Sequence, residues 1–175
     1  MSSTTNPKIL FIFSDPTQFT PLAGTTAETG FCTPYLALTD NGDGSVQIQG
    51  QSSQLTVGGT TYTVYPSHGP AGNPTTLLLA ANTTATFSFT VVDGRGNSLA
   101  YFLSGLAAQR QTASGTQNAQ PPLTVSVDRA GATTLSVTDY NHNSRDESTT
   151  YDFWVLVQNT DGDVGLIDPL ITNEN

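Results

Sequence analysis

The chain has 175 residues and a net charge of −9, from 14 acids against five Lys and Arg, and only 11% of it is charged, where an average soluble domain carries about 25%. That balance excludes nucleic acid, whose phosphates need clustered cations, and an anionic membrane surface. The length suits one domain, residues 1–175, with enough chain to bury a core.

With so little charge, the polar surface must come from Thr, Ser, Asn, Gln and Gly. Threonine is β-branched and suits a pleated, half-solvated surface. The single cysteine, Cys32, rules out an internal disulfide and a cysteine zinc site, and reads as a small buried hydrophobe.

The opening MSSTTNPKILFIFSD has no basic n-region, and Ile9–Phe13 is too short for a signal-peptide core. No stretch approaches the roughly 18 apolar residues of a membrane span. The expectation is a cytoplasmic protein, or one exported by a leaderless route. KILFIF is a continuous apolar run and predicts a buried strand.

Residues 14–34 follow as a long Pro/Gly/Thr loop. Strands are expected near 35–39, 45–49, 53–57, 60–65 and 75–79. In TATFSFTVV, Phe87, Phe89 and Val91 point one way and Thr86, Ser88 and Thr90 the other, which is a half-buried strand. Another strand is expected near 98–103. Residues 104–122 read as a second long loop, with LAAQRQ as one helical turn. LTVSVD and TLSVTD repeat the alternation. TYDFWVLVQN has Tyr151, Phe153, Val155 and Val157 on one face and Asp152, Trp154 and Leu156 on the other, so it reads as a central strand.

Turn signals separate these runs: DNGDG (40–44), Gly58-Gly59, Asp93-Gly94, DRAGA (128–132) and TDGD (160–163). Asp-Gly and Gly-Gly supply the positive φ angles of tight hairpins. About ten short strands at this spacing predict an all-β, single-domain β-sandwich of immunoglobulin-like or jelly-roll topology.

Catalytic signals are thin. His68 lies in a Pro/Gly loop and His142 in a polar loop, and both read as exposed loop histidines. No serine sits in G-x-S-x-G and no phosphate-binding loop occurs. DGRGNS (93–98) reads as a hairpin turn. Asp146-Glu147 and the Asp161/Asp163 pair could be imagined as glycosidase carboxylates, but adjacent acids in polar loops are ordinarily solvated.

Calcium is the best of the specific chemical readings, because Ca²⁺ takes six to eight oxygens from acidic, Asn-rich loops. Asp40 and Asp43 lie in one such loop, Asp161 and Asp163 in another, and neither has the spacing of an EF-hand. Tyr140, flanked by Asp139, Asn141, His142 and Asn143, is the candidate ring for stacking a sugar.

The ending VGLIDPLITNEN carries Asp168-Pro169 and, more loosely, Asn173-Glu174. It resembles the ending of the DP-EP family, small bacterial immunoglobulin-like β-proteins without an established activity. It is more distantly similar to the PixA/AidA inclusion-body proteins. Asn175 stands where the DP-EP family has proline. The resemblance covers about 25 residues of the chain and implies a fold but no catalytic residues.

Leu166, Ile167, Leu170 and Ile171 are too apolar for a free tail, so this segment should pack on its own fold or on a neighbour. The sequence thus points to a non-enzymatic structural or interaction protein with itself or another protein as partner. It would assemble through sheet edges and termini, with Ile9, Phe11 and Phe13 at one end and Leu166, Ile167, Leu170 and Ile171 at the other. The alternative is a calcium-dependent carbohydrate-binding module. No organic cofactor is expected.

Overall fold

The computed structural model describes residues 3–15, 18, 31–41, 43–97, 102–112, 115–117, 123–127, 134–140, 149–158, 164–168 and 170–174. These residues are all-β, with no α-helix. The strands are β1 (Ser3–Thr5), β2 (Lys8–Phe13), β3 (Phe31–Cys32), β4 (Tyr35–Asp40), β5 (Val46–Gln49), β6 (Ser53–Val57), β7 (Thr60–Pro66) and β8 (Thr76–Leu79). They continue as β9 (Thr83–Asp93), β10 (Phe102–Thr112), β11 (Gly115–Gln117), β12 (Leu123–Val127), β13 (Thr134–Tyr140), β14 (Thr149–Gln158), β15 (Val164–Ile167) and β16 (Leu170–Asn173).

Pairing joins them into mixed sheets. One runs β12-β13-β9-β2-β4-β7-β6, with β1 also on β9. The other runs β11-β10-β14-β16-β8-β5, with β15 between β14 and β3. β1 and β2 lie parallel to β9, β16 to β8 and β15 to β3, while the remaining pairs are antiparallel.

The period-two pattern explains the core. Along β9, Ala85, Phe87, Phe89 and Val91 are fully buried and alternate with half-buried Thr and Ser. They meet Ile9, Phe11 and Leu36 from the same sheet, and Leu77, Val155 and Ile171 from the other, in one cluster. Phe89 stacks on Phe11 with ring centroids 5.3 Å apart and on Phe87 at 6.0 Å. A second cluster holds Ile12, Ala37, Val57, Val64 and Val92. Successive residues of β2 therefore enter different cores, which is why KILFIF has no polar face.

The β6–β7 hairpin supplies Val57 and Val64 to that second cluster. Val57 pairs with Thr60, and Gly58 and Gly59 between them have φ of 57° and 84°, as a two-residue turn requires. A Cβ on Gly58 would lie 2.9 Å from the Arg95 carbonyl oxygen, so the hairpin tip rests against the turn that follows β9.

Both outermost segments of the described chain are strands interrupted at an X-Pro pair, and in both the register survives the break. β1 and β2 pair β9 with a constant offset of 80 residues, Ser3 with Thr83 and Lys8 with Ser88. Pro7 has no N–H to give, but its carbonyl accepts the Ser88 N–H at 2.9 Å. β15 and β16 likewise share β14: Ile167 faces Val155 and Leu170 faces Asp152, three residues on along each strand. At Asp168 the neighbour on the opposite side changes from β3 to β8.

Several expectations need correction. Residues 104–122 are not one loop: Phe102–Thr112 is a strand on β14, with LAAQRQ inside it, and 115–117 is another. Ladder pairing with a central strand overrides the local helical preference of Ala, Gln and Arg. Of the strand expected near 98–103, residues 102 and 103 belong to β10 and residues 98–101 lie outside the described residues. Within DGRGNS, residues 93–97 form a closed turn, with Asp93 N–H to Asn97 O at 2.9 Å. It is not a hairpin, because β9 and β10 belong to different sheets. DNGDG also connects strands of different sheets. Within 14–34, Phe31–Cys32 is a short strand, and residues 16–17 and 19–30 lie outside the described residues.

Candidate functional site

The residues expected at an assembly contact are placed inside the fold. Ile9, Phe11, Phe13, Ile167 and Ile171 are buried in the main core, and Leu166 and Leu170 are half-buried. β2 lies between β9 and β4, and β16 between β14 and β8, so neither is an edge strand. The tail holds on to its own sheet, and Glu174 extends the hold by donating its N–H to the Leu79 carbonyl at 2.9 Å.

The edges of the described pairing lie elsewhere. Among the described residues β5 pairs only with β8 and β6 only with β7, and just three residues, 50–52, separate them in sequence. From Gly44 through Val92 the chain has no Asp, Glu, Lys or Arg at all. The exposed positions of the two strands are Gln47 and Gln49, then Ser53, Gln54 and Thr56. Gln54 Nε2 donates to Thr63 Oγ1 at 2.9 Å, and the Thr56 and Thr61 hydroxyls lie 2.9 Å apart. Edge strands are commonly guarded by charge, proline or a bulge. None of these interrupts β5 or β6.

The expected calcium ligands do not gather among the described residues. Asp40 Oδ2 lies 3.9 Å from Lys8 Nζ, both well exposed. Asp43 Oδ1 accepts the Ser45 N–H at 3.1 Å, and the hydrogen bonds from Ser45 hold this carboxyl below the usual carboxylate range. No three of His, Cys, Asp and Glu cluster as metal ligands among the described residues. Asp161, Asp163, Asp146, Glu147, His142 and Pro169 lie outside them. Tyr140 ends β13 opposite Thr84.

Asp93 has a structural task. Its Oδ1 accepts the N–H groups of Arg95 and Asn97, each at 2.8 Å, and its Oδ2 accepts Asn97 Nδ2 at 3.0 Å. The hydrogen bonds from Asn97 lead in lowering its carboxyl pKa. A lowered folded-state pKa stabilises the fold above the unfolded value of about 3.9, and the gain fades as pH falls through the folded value. Asp93→Ala is therefore expected to lower the melting temperature at neutral pH. The gap from the unsubstituted protein should narrow as pH drops below about 4, which a pH series of thermal melts checks.

One concave site stands out. The loop from Ser67 to Thr75 carries the chain from β7 in one sheet to β8 in the other. It is anchored by Ser67 N–H to Pro34 O at 2.9 Å and Leu170 N–H to Thr75 O at 3.2 Å, and closed on itself by Asn73 N–H to Pro70 O at 2.9 Å. Gly69 is packed so tightly that a Cβ would lie 2.5 Å from the Thr75 nitrogen. Between this loop and the break in the terminal strand is a cavity of about 320 Å³, lined by the loop with Asp168 and Leu170. His68 Nδ1 faces Asp168 Oδ2 at 3.6 Å, with the imidazole 69% exposed and the carboxylate 18%. The separation is beyond hydrogen-bond reach. The Ser67 and Thr75 hydroxyls, in the same wall, are buried without a hydrogen-bond partner among the described residues.

In the sequence His68 is a residue of a Pro/Gly loop and Asp168 half of an Asp-Pro pair. Nothing local links them. The parallel pairing of β16 with β8 brings them together across 100 residues of chain.

No family model, curated protein or solved structure matches the chain.

Proposed function

We propose that this chain is a non-enzymatic structural or interaction protein that assembles with further copies of itself through sheet edges, as an inclusion, filament or layer. The observation that carries this reading is the pair of neighbouring edge strands β5 and β6, set in a stretch without one acid, Lys or Arg. Uncharged strands whose outer N–H and C=O groups have no ladder partner among the described residues can add a strand from another copy, and low charge weakens repulsion between the copies. This reading puts the contact on β5 and β6, because Ile9, Phe11, Phe13, Ile167 and Ile171 are taken up by the main core. In this reading the two sheets face one another across the shared core as a sandwich of immunoglobulin-like or jelly-roll topology. The likeness of the ending to the DP-EP and PixA/AidA proteins points the same way.

Sedimentation velocity over a concentration series tests the proposal. The protein should form larger species as concentration rises. The double variant Gln47→Lys/Gln54→Lys should shift the distribution towards monomer by about tenfold in concentration with an unchanged melting temperature. A monomer at every concentration, or equal assembly by the double variant, would overturn it.

A further inference from the structure

We infer that β6 is the strand that receives a second copy, and that it pairs antiparallel with β6 of that copy about a two-fold axis beside Leu55. The inference rests on the reading of this chain as self-assembling and names the contact. The β6–β7 hairpin is close to a free two-stranded ribbon. Its ladder to the rest of the sheet is two residue pairs, Tyr35 with Pro66 and Leu36 with Tyr65. Two strands alone are marginal, and added strands steady them.

The turn fixes which backbone groups point outward. Val57 and Thr60 close the two-residue turn, so they are a hydrogen-bonded pair. Bonded and non-bonded pairs alternate along an antiparallel ladder. Leu55–Tyr62 and Ser53–Val64 are therefore bonded pairs, and Thr56–Thr61 and Gln54–Thr63 are not. The 2.9 Å side-chain hydrogen bonds within the latter two pairs fit that assignment, because side chains lie closer in non-bonded pairs. The N–H and C=O groups of Gln54 and Thr56 are thus directed away from β7, where they have no ladder partner among the described residues.

A strand added there must offer its own outward groups at every second residue, as β6 itself does. Antiparallel self-pairing has to set Gln54 and Thr56 opposite Gln54 and Thr56. The register that engages all five strand residues places Ser53 opposite Val57, Gln54 opposite Thr56, and Leu55 opposite Leu55. The two-fold axis stands perpendicular to the sheet, so like faces meet. Exposed Gln54 and Thr56 stay on the solvent side. Leu55, half-buried against the second core of Ile12, Ala37, Val57, Val64 and Val92, meets Leu55 of the other copy, and the two second cores run into one another across the axis. No Asp, Glu, Lys or Arg between residues 44 and 92 opposes the approach. Such a contact uses the same patch on both copies and closes on itself, so growth beyond the dimer is left to β5.

Leu55 would stand at a non-bonded position across the axis, where Cα atoms are about 4.5 Å apart, inside the roughly 4.4–6.8 Å that a disulfide spans. The full chain carrying Leu55→Cys, oxidised with copper phenanthroline, is expected to give a disulfide-linked dimer on a non-reducing gel. Thr61→Cys, on exposed β7, should stay unlinked, as should the unsubstituted protein, whose Cys32 is buried. Gln54→Pro removes an outward N–H and no β6–β7 bond. It should weaken dimerisation in sedimentation by about tenfold or more, with little change in the melting temperature of the dilute protein. If the unsubstituted protein forms larger species while Leu55→Cys stays unlinked, or Thr61→Cys links as readily, the β6 contact is wrong and the self-assembly reading stands. Gln54→Pro assembling like the unsubstituted protein counts the same way. A monomer at every concentration overturns both.

Discussion

A chain lacking residues 166–175 is expected to lose its folded state altogether, seen as the absence of a cooperative thermal or urea transition. The segment removed is an interior strand. Ile167 and Ile171 are 0% and 1% exposed, and burying one such side chain is worth about 1.5–3 kcal/mol. Deletion would also strip the ladder partners from β14 and β8 in mid-sheet, and each buried N–H or C=O left unsatisfied costs about 1–3 kcal/mol. The total rivals the whole stability of a domain, about 5–15 kcal/mol. A truncated chain that melts cooperatively within a few degrees of the full chain would show that the strand is dispensable. Loss of assembly after such a truncation would thus report unfolding, not a lost contact surface, so the edge substitutions are the better probe of assembly.

Phe89→Ala should cost about 3–5 kcal/mol, the range for emptying a buried aromatic site. Phe89 is fully buried on β9, which lies between β13 and β2. Its ring stacks on two others, at 5.3 and 6.0 Å. Removal would leave a void that Phe11 and Phe87 cannot close while their own backbones remain in the sheet. Urea denaturation should show a large fall in midpoint at an unchanged slope. Thr56→Ala on exposed β6 is the control and should stay within about 0.5 kcal/mol. A loss at Phe89 as small as that would mean the main core is loosely packed.

The parts of the fold legible in the sequence are those where one strand carries its own signature. The alternation from Ala85 to Val91 and the unbroken KILFIF follow directly from one covered face and from two. Gly58-Gly59 announces its hairpin because both residues must take positive φ. Strand partners are less visible. Asp93-Gly94 and DNGDG look like hairpin signals, yet both connect different sheets, since a tight turn fixes the local path and not the pairing beyond it. β1 and β3 span three and two residues, too short to show any period. LAAQRQ lacks β-branched side chains and joins its sheet through backbone bonds to β14. The cavity was the least legible feature, because His68 and Asp168 meet only through a parallel pairing of distant strands.

That reliance on distant pairing sets the order in which the molecule can be built. The strand at Ser3–Phe13 finds its parallel partner only after residue 93 has been synthesised, and Thr76–Leu79 waits for residues 170–173. At roughly 5–20 residues per second on the ribosome, the apolar KILFIF run has β4 as a neighbour early but waits several seconds for its other neighbour, β9. Chains dominated by such long-range contacts also fold slowly once complete. Newly made copies therefore pass through a period in which their most apolar strand has only one of its two sheet neighbours.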